Sequence, residues 1–313
     1  MVKDAVVFTT TFYNNSEEGL IRKNLALEFA RSVVEQDYPL VVVDGGTDDG
    51  RFIDQLKSIG AHSYLETKRE SFVQKRLALP LSRREAREHA YKFAIENNIP
   101  ILDWCEPEKV GHVQSIDYLV KRMKETGADL VVPYRLSMRS YPEAQEFSEK
   151  FGDQLHTDNG YLDMEGKPID QFFGPHMWIR QMDPYFRVFD DPKVAEVLTE
   201  LRIGEIEKKY GVTLNEDARA LEKIKAQVDL GADHMMHMPT CLMILRREKV
   251  LSVPVDYAHP SKQTEIETKN QAIWNGKRLM QLNALAEQFK LVRVLHEREV
   301  LEERLVEKLR QAV

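Results

Sequence analysis

Two cysteines stand among 313 residues, Cys105 and Cys241. They could form one pair at most, so a disulfide framework is excluded and a reducing compartment is the expected setting. No apolar run reaches the ~18 residues needed to cross a bilayer. The N-terminal MVKDAVVF runs straight into a strand-like pattern, with no charged-then-apolar leader. A cytoplasmic protein without a membrane span is expected. Excess positive charge is missing as well: 44 Lys and Arg against 51 Asp and Glu leave a net charge of −7. No basic field is present to draw nucleic acid as the main partner. Internal repeats and low-complexity tracts are also absent.

What is present is ordinary soluble composition, 42% hydrophobic and 30% charged. The many apolar runs exclude intrinsic disorder. At this length a folded chain buries roughly three-quarters of its unfolded surface, which predicts one large α/β unit or two intimate lobes.

The pattern opens strand, helix, strand, helix. AVVFTT (Ala5 to Thr10) is a β-branched apolar run, and LVVV (Leu40 to Val43) is a second that does not alternate, as for a strand buried on both faces. Between them Ile21, Leu25, Phe29 and Val33 share a helix face. Phe52 to Ile59 reads as a helix and Ala61 to Leu65 as a third strand. Serial β–α units imply a parallel sheet with right-handed crossovers. Ser82 and Glu85 fit a capping box that opens a helix to about Asn97. Further strands are expected at Pro100 to Asp103, Ala128 to Pro133 and Val250 to Val255. Helices are expected at Val113 to Glu125, Val194 to Lys209, Asp217 to Asp229 and from Glu265 onward. Tyr134 to Pro175 is predicted to be loops with a broken helix.

In open parallel sheets ligands bind beyond the carboxyl ends of the strands. Four polar clusters fall there: Thr9 to Asn14, Asp44 to Asp49, Asp103 to Glu106, and Pro133 to Arg135. Arg83 and Arg84 sit in the expected first turn of the Ser82 helix. Helix N-termini favour anions, so two arginines there suit a phosphate, or else are solvated surface charge. Asp44, before Gly45-Gly46, could accept from a base or ribose, or simply form its turn. Asp103 and Glu106 could hold a hard divalent cation bridging a diphosphate, or start a helix. His259 follows the last strand. Asp233 could act as general base or as an N-cap after Gly231. His234 and His237 share helical spacing, but no Cys or Glu-x-x-His framework supports zinc.

Taken in order, VVFTTTFYN, VVVDGGTDDG, ILDWCEPEK with ADLVVPYR, and GADHMMHMP followed by VLSVPVDYAHP resemble the motifs of a GT-A-fold, nucleotide-sugar-dependent glycosyltransferase. The resemblance covers about residues 5 to 262, and its general flavour is that of enzymes with small acceptors. It implies an α/β, Rossmann-like, mostly parallel central sheet flanked by helices. A catalytic domain at 1–262 would have a nucleotide half to about 133 and an acceptor half to 262, with a C-terminal helical extension at 263–313. It implies sugar transfer from a nucleoside diphosphate sugar to a small hydroxyl acceptor. Thr9, Thr11, Phe12, Asp44, Arg83, Arg84 and Asp103 would bind the nucleotide sugar. Asp103, Glu106 and His259 would hold Mg²⁺ or Mn²⁺, and Asp233 would serve the acceptor, as base if the reaction inverts. Arg139 to Gly174 would hold the acceptor pocket.

The chain departs from the pattern at two places. Asp103-Trp-Cys-Glu106 replaces Asp-x-Asp, which leaves Arg83, Arg84 and Lys68 or Arg69 as alternative partners of the diphosphate. Leu81-Ser-Arg-Arg84 replaces the Gly-Lys-Gly-like element. A sugar-nucleotide nucleotidyltransferase is disfavoured, because the loop after the first strand lacks glycine. A non-catalytic nucleotide- or carbohydrate-binding protein on a degenerate scaffold is the other reading. Leu295, Leu301, Leu305 and Leu309 could pack on their own domain or pair two copies in a homodimer.

Overall fold

The structure, a computed structural model, describes residues 3–47, 51–66, 78–230 and 236–297. Among the described residues seven strands form one sheet: β1 (Ala5–Thr11), β2 (Leu40–Asp44), β3 (His62–Leu65), β4 (Ile101–Trp104), β5 (Leu130–Arg135), β6 (His176–Ile179) and β7 (Val250–Val255). Their order across the sheet is β3-β2-β1-β4-β6-β5-β7. Among the described strands only β6 runs antiparallel, between β4 and β5. The carboxyl ends of the other six therefore share one edge. This is the mostly parallel α/β architecture expected from the sequence.

The helices are α1 (Glu17–Glu35), α2 (Arg51–Ile59), α3 (Ala78–Glu96), α4 (Ile116–Thr126), α5 (Glu143–Asp158), α6 (Asp183–Arg187), α7 (Pro192–Tyr210), α8 (Glu216–Leu230), α9 (His237–Leu245), α10 (Ser261–Lys269) and α11 (Gln271–Glu297). None among the described residues is long and apolar enough to cross a membrane. Strand parity divides the core. Val6, Phe8, Leu102, Trp104 and Val132 pack on one face under α3, α9 and α11. Val7, Val42, Ile101, Val131 and Val253 pack on the other under α1, α2 and α4. Both faces are covered, which explains why these strands do not alternate in polarity. Ser16 caps α1 by accepting from Gly19 N–H, with Glu17 and Glu18 in the first turn, where acids suit the helix dipole.

Several expectations need correction. α3 starts at Ala78, so Ser82 lies inside the helix and makes no capping box; its hydroxyl donates to Glu66 Oε2 at 2.5 Å. Arg83 and Arg84 are therefore not in a first turn. α5 is one continuous helix where loops with a broken helix were expected. Its outer face carries the exposed Phe147 and Phe151, which blurs the periodicity, and Gly152 sits mid-helix because the Phe172 ring occupies the space of a Cβ, 2.2 Å from where one would lie. The strand β6, four residues long, was not expected at all. Leu295 is 3% exposed and packs into its own core; Leu301, Leu305 and Leu309 lie outside the described residues.

Candidate functional site

A crevice of about 870 Å³ opens at the carboxyl edge of the sheet. Its floor comes from the strand exits: Thr10 near the end of β1 and Phe12 after it, Trp104 at the end of β4 and Glu106 after it, Arg135 at the end of β5, and His259 after β7. Gly174, before β6, joins them because β6 enters the sheet at this edge, His176 pairing with Trp104. Arg202 of α7 and Trp274, Arg278 and Gln288 of α11 form the facing wall. The carboxyl edge of the parallel strands, where the strand order reverses between β1 and β4, is where α/β sheets place ligands.

The walls carry matched charge. Arg22 reaches Glu18 at 3.0 Å, Glu267 at 3.2 Å and Glu108 at 3.6 Å. Lys109 lies 3.2 Å from Glu106 Oε1. Burial alone would lower the Lys109 pKa, but Glu106 and the groups beside it hold the ammonium above the usual lysine range. Arg202 pairs with Glu287 through two bonds of 2.6 Å. Arg278 donates to Gln145 Oε1 at 2.5 Å and stands 3.8 Å from Glu267. The His259 ring stacks on Tyr141 at 4.3 Å, with Nε2 3.5 Å from Glu267 Oε2. Burial raises the Glu267 pKa, yet the His259, Gln263 and Arg22 contacts outweigh it and keep the carboxylate below its ordinary range. An anionic ligand entering here meets cations already oriented by carboxylates.

The candidate residues separate into two groups. Phe12, Arg83, Glu106 and His259 line the crevice. Phe12 is 58% exposed and its ring lies against Gly45, while the Arg83 guanidinium sits 5.5 Å over the Trp104 ring. Thr9, Thr11, Asp44, Arg84 and Asp103 do not line it. Thr9 and Thr11 share the strand parity of Val7, whose side chain faces the opposite layer; Thr10 takes the crevice position. Asp44 accepts from Thr11 Oγ1, Thr47 Oγ1, Gly46 N–H and Thr47 N–H, so it organises the turn. Arg84 donates to Glu88 at 2.9 Å on an open helix face.

Asp103 shares Val7 parity too, and its carboxylate lies fully buried 3.7 Å from His112 Nε2. The expected metal set of Asp103, Glu106 and His259 is thus not assembled: Glu106 and His259 line the crevice and Asp103 does not. Among the described residues no group of three His, Cys, Asp or Glu could hold a metal ion. Asp233, His234, Lys68 and Arg69 lie outside the described residues.

The sequence reading did not single out Arg22, Lys109, Glu149, Asp170, Gln171 or Arg278. Arg135 ends a buried strand, which was a usable signal. The α11 residues carry none, because a polar stripe on a long helix reads as a solvated face.

No family profile matches the chain, and no curated protein does. Among solved structures it is similar to a protein of Desulfovibrio desulfuricans G20 described as a nucleotide-diphospho-sugar transferase, at 8% identity and TM-score 0.40, covering 91% of this chain and 98% of that one. Glucosyl-3-phosphoglycerate synthase of Mycobacterium tuberculosis aligns at 12% identity and TM-score 0.37 over 82% and 72%. The 4-diphosphocytidyl-2C-methyl-D-erythritol synthase of Anaerococcus prevotii aligns at 10% and 0.38 over 88% and 100%.

Proposed function

We propose that this chain transfers a glycosyl group from a nucleoside diphosphate sugar to a hydroxyl acceptor in the crevice at the sheet edge. The observation that carries the reading is the crevice itself. It is large enough for a nucleotide sugar, and it runs from an exposed aromatic ring at the β1 exit to a cation-lined zone at the β4 and β5 exits. Phe12 offers a face on which a base stacks. Arg83 and Lys109 stand where the diphosphate would lie, and their charge would stabilise the nucleoside diphosphate as it leaves. An entering diphosphate would take over part of the pairing that Glu106 gives Lys109. On the strength of the resemblance Asp233 would serve the acceptor, as base if the reaction inverts and as an orienting group if it retains configuration.

Nucleotidyl transfer to a phosphorylated acceptor competes with this reading, because Arg22, Arg202 and Arg278 supply further cations across the crevice. A thermal-shift screen separates them. Nucleoside diphosphates, their hexose esters and nucleoside triphosphates are each tested with and without Mg²⁺ or Mn²⁺, followed by turnover of the compounds that bind. Stabilisation by a diphosphate and its sugar ester, with release of the diphosphate during turnover, is expected. Pyrophosphate release from a triphosphate would instead establish nucleotidyl transfer. Arg83→Ala is expected to cut nucleotide affinity about tenfold or more, whereas Arg84→Ala leaves it within about twofold; equal effects would remove Arg83 from the site.

A further inference from the structure

Gln171 is fully buried and lines the crevice, yet neither its amide nitrogen nor its amide oxygen has a hydrogen-bond partner among the described residues. Buried polar groups are nearly always paired, and leaving one unpaired is costly. Its loop is nevertheless firmly held. The Gln171 backbone N–H donates to Asp153 Oδ1 at 3.0 Å. The preceding Asp170 is gripped by Arg135 and accepts from Phe173 N–H at 3.0 Å. The side chain is therefore kept in place by its neighbours rather than by bonds of its own.

A second unpartnered atom belongs to the same wall. Glu106 gives Oε1 to Lys109, while its buried Oε2 has no hydrogen-bond partner among the described residues. That carboxylate lies against Gly174, three residues after Gln171, so closely that a Cβ on Gly174 would come within 2.0 Å of Oε1. Gly174 at φ 99° also holds a backbone conformation that a larger residue would resist.

We infer that Gln171 and Glu106 form a subsite for neighbouring hydroxyl groups, the carbohydrate part of the ligand. This deepens the glycosyl-transfer reading and rests on it. An amide presents one donor side and one acceptor side, which complements two adjacent hydroxyls that each donate and accept. A carboxylate oxygen accepts only, so it takes an O–H and repels a phosphate. The base-stacking ring, Phe12, follows β1, which is separated from the β6 entrance by β4. The amide thus serves the sugar rather than the base.

The test measures thermal shift and calorimetric affinity with UDP, GDP and ADP, with UDP-glucose, GDP-mannose and ADP-glucose, and with free glucose, mannose and galactose. The proteins are the wild type, Gln171→Met and Glu106→Gln. In the wild type the hexose is expected to tighten nucleotide binding about tenfold. Gln171→Met should erase that gain, keep diphosphate affinity within about twofold, and raise the unfolding midpoint because the unpaired amide is gone. Glu106→Gln should erase part of the gain. If diphosphates bind but hexose adds nothing, or adds as much in Gln171→Met, the subsite is overturned while nucleotide binding stands. If free hexoses bind in a Gln171-dependent way and no nucleotide does, the subsite stands and the glycosyl-transfer reading falls. Binding of neither overturns both. A Gln171→Met protein that melts lower, or fails to fold, shows the amide to be structural and also overturns the subsite.

Discussion

The guanidinium of Arg135 grips both oxygens of the Asp170 carboxylate, Nε to Oδ2 at 2.8 Å and Nη2 to Oδ1 at 2.6 Å, and Nη1 donates to Glu149 at 2.6 Å. The cluster fastens the end of β5 to α5 and to the loop before β6. All three residues are buried, and the nearby Asp153 is pushed well above the carboxylate range by burial and by the charge of Asp170. Burial works against the Arg135 charge too, but Glu149 and Asp170 hold it well above the ordinary arginine range.

Removing that cation leaves buried carboxylates uncompensated. Arg135→Met is expected to lower unfolding stability by about 3–5 kcal/mol in urea titrations. Arg135→Lys keeps the charge but not the two-pronged geometry, so it should fall between. A loss below ~1 kcal/mol for the methionine variant would show that the cluster contributes little.

Asp44 reads differently once its partners are seen. A fully buried carboxylate accepting four hydrogen bonds from Thr11, Gly46 and Thr47 is a turn organiser. Asp44→Ala should cost about 3 kcal/mol or more in chemical unfolding, since bonds to a charged acceptor are each worth about 1.5–3 kcal/mol. Phe12→Ala should leave unfolding within about 0.5 kcal/mol, because the ring is largely exposed, yet weaken nucleotide binding by about 1–3 kcal/mol, the worth of one stacked base. Unchanged stability of the Asp44 variant would reinstate it as a ligand-facing group.

The sheet was legible because apolar β-branched runs and helical spacing are local signals, and β1, β2, β4, β5, β7 and most helices fall where those signals put them. Side-chain direction was less legible. Placing Thr9, Thr11 and Asp103 toward the ligand amounted to choosing the wrong strand parity, since polar residues at a strand end can face either layer. The Ser82 capping pattern was overridden by a helix that begins one turn earlier. The crevice wall from α11 had no local signature, because Arg278 meets Glu267 and Gln145 only through tertiary packing. Phe12, Glu106 and His259 reach the crevice because each follows a strand, whereas Arg83, expected there as a first-turn residue, reaches it from inside α3.

Asp103 offers a test that separates a metal ligand from a core residue. Burial raises its pKa, with His112 opposing, and 3.7 Å to His112 Nε2 is beyond hydrogen-bond length. A carboxyl whose folded pKa is raised supports folding while protonated, and that support is lost as pH rises through the folded value. Asp103→Asn cannot ionise, so its unfolding midpoint at pH 8 should equal or exceed that of the wild type, with nucleotide affinity unchanged. Loss of metal-dependent turnover in a stable Asp103→Asn protein would place the residue back in the chemistry.

Acid sensitivity should be set by two buried imidazoles. His156 Nδ1 donates to Gly152 O at 2.9 Å and His176 Nδ1 to Gly174 O at 2.7 Å, while neither Nε2 has a partner among the described residues. Burial lowers both from 6.5 to about 4, the backbone bonds opposing only weakly. Each ring therefore folds neutral, and the unfolded chain binds more protons between those values. Stability is complete above about pH 6.5 and falls as pH drops toward 4, by about 3 kcal/mol per histidine over the whole window. Urea unfolding between pH 6.5 and 5, above the range where ordinary carboxylates dominate, should show this slope. His156→Phe, in a cluster already built from Tyr161, Phe172 and Phe289, should remove about half of it. A slope unaltered by that substitution would mean that His156 takes up its proton without unfolding, against the burial that sets its pKa.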